Sequence, residues 1–272
     1  MVPESAAPPL ELKCRVEGHG TAILLLHGVG GSHTVWNEVL PGLANEFLVL
    51  APDLRGHGRT PGPAGSQYTF SEMMGDIVHL FDEREIDSAH LVGLSAGAFL
   101  ALRMTLDRPE RVRSLTMVSG AAYADSHTRA IAERWNETYT KEGPDRFALR
   151  LLKDLFYADW VEANLDYADA LREEVKHQDY GPAVRWARSM ASFDERARIA
   201  SVSRPTLIVQ AMNDTVVEAS HGRILRQSIP GSQIRILAET GHMVPVERPQ
   251  ELRDAVLTFV RSVESSGARS TA

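Results

Sequence analysis

Residues 89–106 read AHLVGLSAGAFLALRMTL, and the fold turns on how this stretch is read. The first six residues, Ala89 to Leu94, are a continuous apolar run of strand length, while Ala98 to Leu106 carries a helical pattern. Between them stands Gly93-Leu94-Ser95-Ala96-Gly97, a serine with a glycine two residues away on either side. A serine on so tight a strand-to-helix turn is held in a strained backbone, its hydroxyl raised above the end of the strand. Small neighbours are needed because the turn brings backbone segments close together. The helix that follows points its positive N-terminal end at the same place, which favours developing negative charge.

Similar runs recur on both sides. Ala22–His27, Phe47–Ala51, Ser114–Ser119, Thr206–Ala211 and Gln233–Ala238 each have strand length, and their continuous apolarity suits strands covered on both faces. The intervening segments have helical period. After Ser71, read as an N-cap, Ile77, Leu80 and Phe81 fall on one face. Alternating strand and helix predicts an α/β fold with a doubly wound, mostly parallel sheet.

Residues 121–200 break the rhythm with helical patterning alone. They hold 11 of the chain's 18 aromatic residues, so an inserted helical layer is expected there, with residues 1–120 and 201–272 forming the sheet domain. About two-thirds of these aromatics are expected to dock the insertion on the sheet, and the rest to line an apolar pocket. Trp135, Trp160 and Trp186 are the expected substrate-binding members.

A serine needs a base, and the base needs an orienting acid. Gly241-His242 follows the last strand, and Asp214 follows the Thr206–Ala211 strand. The order Ser95, Asp214, His242 thus places each group just beyond the C-terminal end of a separate strand. Either partner alone has a plain structural explanation, Asp214 as a helix cap and His242 as a buried histidine. Three concordant placements favour catalysis. Asp125 is the next candidate acid, but it lies several residues past the Ser114–Ser119 strand and ranks below Asp214. His27-Gly28-Val29-Gly30-Gly31 follows the first strong strand, and the Val29 and Ala96 N–H groups are the expected oxyanion donors. His27 itself is read as a brace for that loop.

These residues, with Asp53-Leu54-Arg55-Gly56-His57-Gly58-Arg59-Thr60, resemble the α/β-hydrolase superfamily over nearly the whole chain. Within it the chain is most similar to small bacterial carboxylesterases, 3-oxoadipate enol-lactonases and meta-cleavage C–C hydrolases. The resemblance implies Ser95 as nucleophile, His242 as base, Asp214 as acid, a helical cap inserted after the sixth strand, and a bracing role for Asp53–Thr60. Ser95 separates the chain from members with an aspartate nucleophile, such as haloalkane dehalogenases. Ala98 is a departure, standing where many relatives have another glycine.

Composition narrows the partners. With 29 Lys+Arg against 36 Asp+Glu, the net charge of −7 disfavours nucleic acid or an anionic membrane surface. Cys14 is the single cysteine, so no intrachain disulfide is expected. Met1 to Leu12 has no basic stretch before an apolar run, and a cytoplasmic location is expected. Ser265 to Ala272 is rich in small polar residues and is expected to fray. His33 stands where a dinucleotide fingerprint beginning at Gly28 would need glycine, and the ten histidines form no metal spacing. The expectation is a hydrolase with no cofactor or metal that cleaves a small ester or lactone through an acyl-enzyme. C–C cleavage of a vinylogous diketone by the same Ser–His pair is the alternative, and a non-catalytic ligand-binding or signalling protein the more distant one. Arg150, Arg185 and Arg188 are the arginines that could admit a carboxylate, although exposed cap charges are their ordinary reading.

Overall fold

The computed structural model describes residues 8–62 and 68–270, so most of the Met1–Leu12 stretch lies outside the described residues. Seven strands form one sheet. They are β1 (Cys14–Glu17), β2 (Ala22–Leu26), β3 (Leu48–Pro52), β4 (Ala89–Leu94), β5 (Val112–Val118), β6 (Thr206–Ala211) and β7 (Gln233–Leu237). Their spatial order is β1-β3-β2-β4-β5-β6-β7, and every pairing is parallel except that of β1 with β3. The helices of the sheet domain are α1 (Leu40–Ala44), α2 (Phe70–Glu83) and α3 (Ala96–Asp107).

Five helices separate β5 from β6: α4 (Ser126–Glu137), α5 (Pro144–Leu155), α6 (Ala158–Ala163), α7 (Leu165–His177) and α8 (Gly181–Met190). They are followed, after β6, by α9 (Ala219–Ser228), and after β7 by α10 (Val244–Glu247) and α11 (Pro249–Ser270). The insertion therefore follows the fifth strand of the described residues, not the sixth. Helix α2 begins two residues earlier than Ser71 suggests. Thr69 caps it by accepting the Glu72 N–H while the Glu72 carboxylate accepts the Thr69 N–H, a reciprocal arrangement that satisfies two otherwise orphaned donors. Helix α11 takes in most of the Ser265–Ala272 stretch, reaching Ser270, and the last two residues lie outside the described part.

Alternate residues along the central strands feed two apolar layers. Leu24, Leu26 and Leu91 face α2, α3 and α9, whereas Ile23, Leu25 and Val92 face α1 and α11. Burial on both faces is what the continuous apolar runs require. β7, at the edge, is mostly exposed. The far end of the sheet is tied by one residue of α11. The Glu264 carboxylate accepts hydrogen bonds from Thr21 Oγ1 and Arg113 Nη2 and stands 3.2 Å from His90 Nε2, gathering the N-terminal ends of β2, β4 and β5.

The insertion leaves and rejoins the sheet domain through a paired stem. Ala124 N donates to Phe193 O and Glu195 N to Ala122 O. Phe193 stacks on Phe99 of α3 at 4.7 Å, and buried Glu195 pairs with Arg103 of the same helix. The stem thus rests on the helix that follows Ser95. Among the described residues no helix is long and apolar enough to cross a membrane.

Candidate active site

Ser95 occupies the turn between β4 and α3 with φ 55° and ψ −119°, a region that residues with a side chain seldom adopt. Its N–H donates to Val118 O at 2.9 Å, which fixes the turn to the end of β5. The first turn of α3 lies directly on the end of β2. A Cβ on Gly97 would stand 2.3 Å from Leu26 O, so this position excludes any side chain. Gly28 is pressed against the serine itself, since a Cβ there would lie 3.1 Å from Ser95 Cβ. Two close approaches therefore bring the glycine loop after β2 alongside the Ser95 turn.

His242 follows β7 and Asp214 follows β6, and both are almost fully buried, 1% and 5% exposed. His242 Nδ1 lies 2.9 and 2.8 Å from the two carboxylate oxygens of Asp214. Asp214 Oδ1 also accepts the Val216 and Val217 N–H groups, each at 2.9 Å. A carboxylate held this way keeps the proton on Nδ1 and leaves Nε2 of the imidazole as the free base. Asp125 is engaged elsewhere: it caps α4 through the Thr128 N–H and contacts His221 Nε2 at 3.1 Å.

Ser95, His242, Gly28 and Val29 share the lining of a cavity of ≈ 500 Å³ between the sheet domain and the insertion. The Val29 and Ala96 N–H groups take part in no turn or loop hydrogen bond among the described residues, and Ala96 is buried at the start of α3. Behind Val29, His27 donates from Nδ1 to Gly28 O and accepts the Leu54 N–H at Nε2. Burial lowers its pKa to about 4, so it braces the loop as a neutral ring. The Asp53 carboxylate adds a second brace by accepting the His33 N–H and the Arg59 N–H and Nε–H.

The aromatic residues of the insertion divide differently from the sequence expectation. Six of the eleven line the cavity: Trp135, Phe147, Phe156, Trp160, Tyr167 and Tyr180. Trp186 does not. It is fully buried, with its ring edge-on to His27 and His57, and docks α8 on the loops of the sheet domain. The three arginines considered from sequence are also absent from the lining. Arg150 lies 3.8 Å from Asp154, Arg185 sits over the Tyr68 ring, and Arg188 is exposed. Among the described residues the arginine in the lining is Arg129, which no motif or spacing singles out.

Sequence reading also missed the residues that join the insertion to the Asp214 and His242 loops. Thr215 Oγ1 donates to Asp154 O at 2.8 Å, and Met243 N donates to Leu155 O at 3.1 Å. Glu247 Oε2 accepts both Gly241 N–H at 2.9 Å and Tyr157 N–H at 3.1 Å. Burial pushes the Glu247 carboxyl up from its ordinary value, against the pull of those N–H groups and of nearby His242. Among the described residues no cluster of three or more His, Cys, Asp or Glu side chains could hold a metal ion.

A family model described as the alpha/beta hydrolase fold matches residues 21–249. The chain belongs to the α/β-hydrolase family. This α/β-hydrolase is 27% identical over 258 residues to a protein of Azorhizobium caulinodans named "Putative carbamate hydrolase RutD", covering 93% of this chain and 96% of that one. It is 27% identical over 262 residues to the 2-hydroxymuconate semialdehyde hydrolase of Pseudomonas sp. strain CF600, covering 92% and 90%. A solved structure of a thermophilic esterase from Thermogutta terrifontis superposes with a TM-score of 0.84 at 25% identity, covering 93% of each chain.

Proposed function

We propose that this α/β-hydrolase is a serine hydrolase that cleaves a small ester or lactone through an acyl-enzyme. The observation that carries the reading is one cavity wall that holds both a strained Ser95 and a buried His242, the latter held by both oxygens of Asp214. His242 Nε2 removes the Ser95 proton as Oγ attacks the substrate carbonyl. Asp214 stabilises the imidazolium without taking its proton. The Val29 and Ala96 N–H groups hold the oxyanion. The bond to the leaving oxygen then breaks, and that oxygen takes the proton from His242. Water, deprotonated by the same histidine, releases the acyl group and restores Ser95.

The cavity supports an apolar substrate, since Val, Ala, Leu and aromatic side chains make up most of its wall. Likeness to an esterase and to a protein named for carbamate hydrolysis supports carbonyl chemistry of this kind. Labelling with a fluorophosphonate tests the nucleophile. The wild type is expected to react and the Ser95→Ala variant not to; equal labelling of both would refute the proposal. Likeness to 2-hydroxymuconate semialdehyde hydrolase supports a second reading, cleavage of a C–C bond in a vinylogous diketone. Turnover of such diketones with no turnover of simple esters would favour it.

A further inference from the structure

The six aromatic residues of the cavity wall fall into separate groups. Phe147 and Tyr180 stand 5.2 Å apart, both in edge contact with Tyr139, and belong to one apolar cluster with Trp135 and Leu151. Phe156, Trp160 and Tyr167 form a second triad, with centroids 5.2 to 5.6 Å apart and Phe156 stacked on Trp160. Phe156 and Trp160 pack with Leu152, Met243 and Val246, and Leu155 and Leu171 bridge this cluster to the first. Helix α5 and the residue after it serve both: Phe147 and Leu151, one turn apart, face the first wing, whereas Leu152 and Phe156, just past the helix end, face the second.

The wings have different neighbours in the reactive centre. The first lies against the oxyanion loop, because a Cβ on Gly30 would stand 3.0 Å from Tyr180 Cε1 and 3.7 Å from Ala183 Cβ. The second lies against the histidine loop. A Cβ on Gly241 would stand 2.6 Å from the Phe156 carbonyl carbon, and Met243, next to His242, donates its N–H to Leu155 O.

Resting on the ester reading, we infer that the substrate is an ester with an apolar group on each side of the carbonyl, and that the two wings sort them. The leaving alcohol is the group that His242 must protonate, so it extends toward the histidine loop and stacks in the Phe156–Trp160–Tyr167 wing. The acyl chain takes the remaining direction, into the Trp135–Phe147–Tyr180 wing. Glu174, at the cavity wall, acts on Tyr167 of the one wing and on Tyr180 of the other, so it disfavours an anionic substrate without separating the two wings.

Four substrates test the sorting: methyl acetate, benzyl acetate, methyl hexanoate and benzyl hexanoate, with kcat/KM followed by acid release. The wild type should prefer benzyl over methyl and hexanoyl over acetyl. Trp160→Ala should lower the benzyl-over-methyl ratio by about tenfold, the scale of one lost aromatic contact, and leave the hexanoyl-over-acetyl ratio as it was. Phe147→Ala should do the reverse. Tyr167→Ala gives a second reading of the alcohol wing should Trp160→Ala fail to fold. Equal changes in both ratios, or the opposite crossing, would overturn the sorting while leaving the ester reading intact. A wild type that hydrolyses none of the four and resists the fluorophosphonate would instead overturn the ester reading, and the sorting with it.

Discussion

Glycine at position 95 should make the protein more stable than alanine there, the reverse of the usual order. Both substitutions remove the hydroxyl, so its loss cancels in the comparison. What differs is the cost of holding a Cβ at φ 55° and ψ −119°. Such a conformation costs a residue with a side chain about 1–3 kcal/mol, and glycine nothing comparable. Against this, the freer unfolded chain of a glycine variant costs about 0.4–1 kcal/mol. The difference leaves Ser95→Gly ahead of Ser95→Ala by roughly 1 kcal/mol. In a chain of this size that is a melting-point gap of about 2 °C. Calorimetry and urea unfolding of the two variants measure it directly. Ala98→Gly, buried in the first turn of α3 where the backbone is helical, supplies the control and should lose about 1 kcal/mol. An alanine variant as stable as the glycine variant, or more so, would mean that the turn at Ser95 stores no strain.

Three other outcomes follow from the same contacts. Glu247→Ala leaves the Gly241 and Tyr157 N–H groups without their acceptor, at about 1–3 kcal/mol each, and should lower both the urea midpoint and kcat; Glu247→Gln, which keeps an oxygen in place, should recover most of both. Gly241→Ala puts a Cβ 2.5 Å from Tyr157 N, so kcat should drop by about an order of magnitude as the insertion is pushed off the histidine loop; undiminished turnover would show that this contact does not position His242. Acid should destabilise the fold, because burial lowers the pKa of His27 to about 4 and of His57 to about 3. Both rings stay neutral in the folded chain while the unfolded chain binds protons below about pH 6.5, so the stability present above that pH drains away toward pH 4 and 3. At pH 5 each histidine costs roughly 2 kcal/mol relative to pH 7. A urea midpoint constant from pH 7 to 5, or one whose slope is unaltered in His57→Phe, would contradict the assignment.

The central strands were legible because two covered faces demand unbroken apolar runs, and β2, β4 and β6 consist of little else. β1 was not legible. Four residues, Cys-Arg-Val-Glu, pair at the sheet edge and are only half-buried, which leaves too short and too polar a pattern to separate from a loop. The strained turn at Ser95 announced itself through local spacing, since Gly97 answers to a contact that the motif itself creates. Glu247 had no such signal. In the sequence it is one acid in a short helix, and only the meeting of three segments makes its carboxylate an acceptor for Gly241 and Tyr157. The aromatic residues show both limits at once. Their enrichment marked the insertion, but whether a tryptophan faces a cavity or a neighbouring loop depends on helix rotation, as the contrast between Trp135 and Trp186 shows.

The parallel sheet separates two kinds of work along its strands. Ser95, Asp214 and His242 stand past the C-terminal ends, while Thr21, His90 and Arg113 meet Glu264 at the N-terminal ends of their strands. A protein engineer therefore has two surfaces that can be edited independently. Redesign of the Glu264 junction would tune robustness without reshaping the substrate chamber, and recutting the aromatic wings would retarget selectivity without unpicking the bonds that hold the opposite edge together.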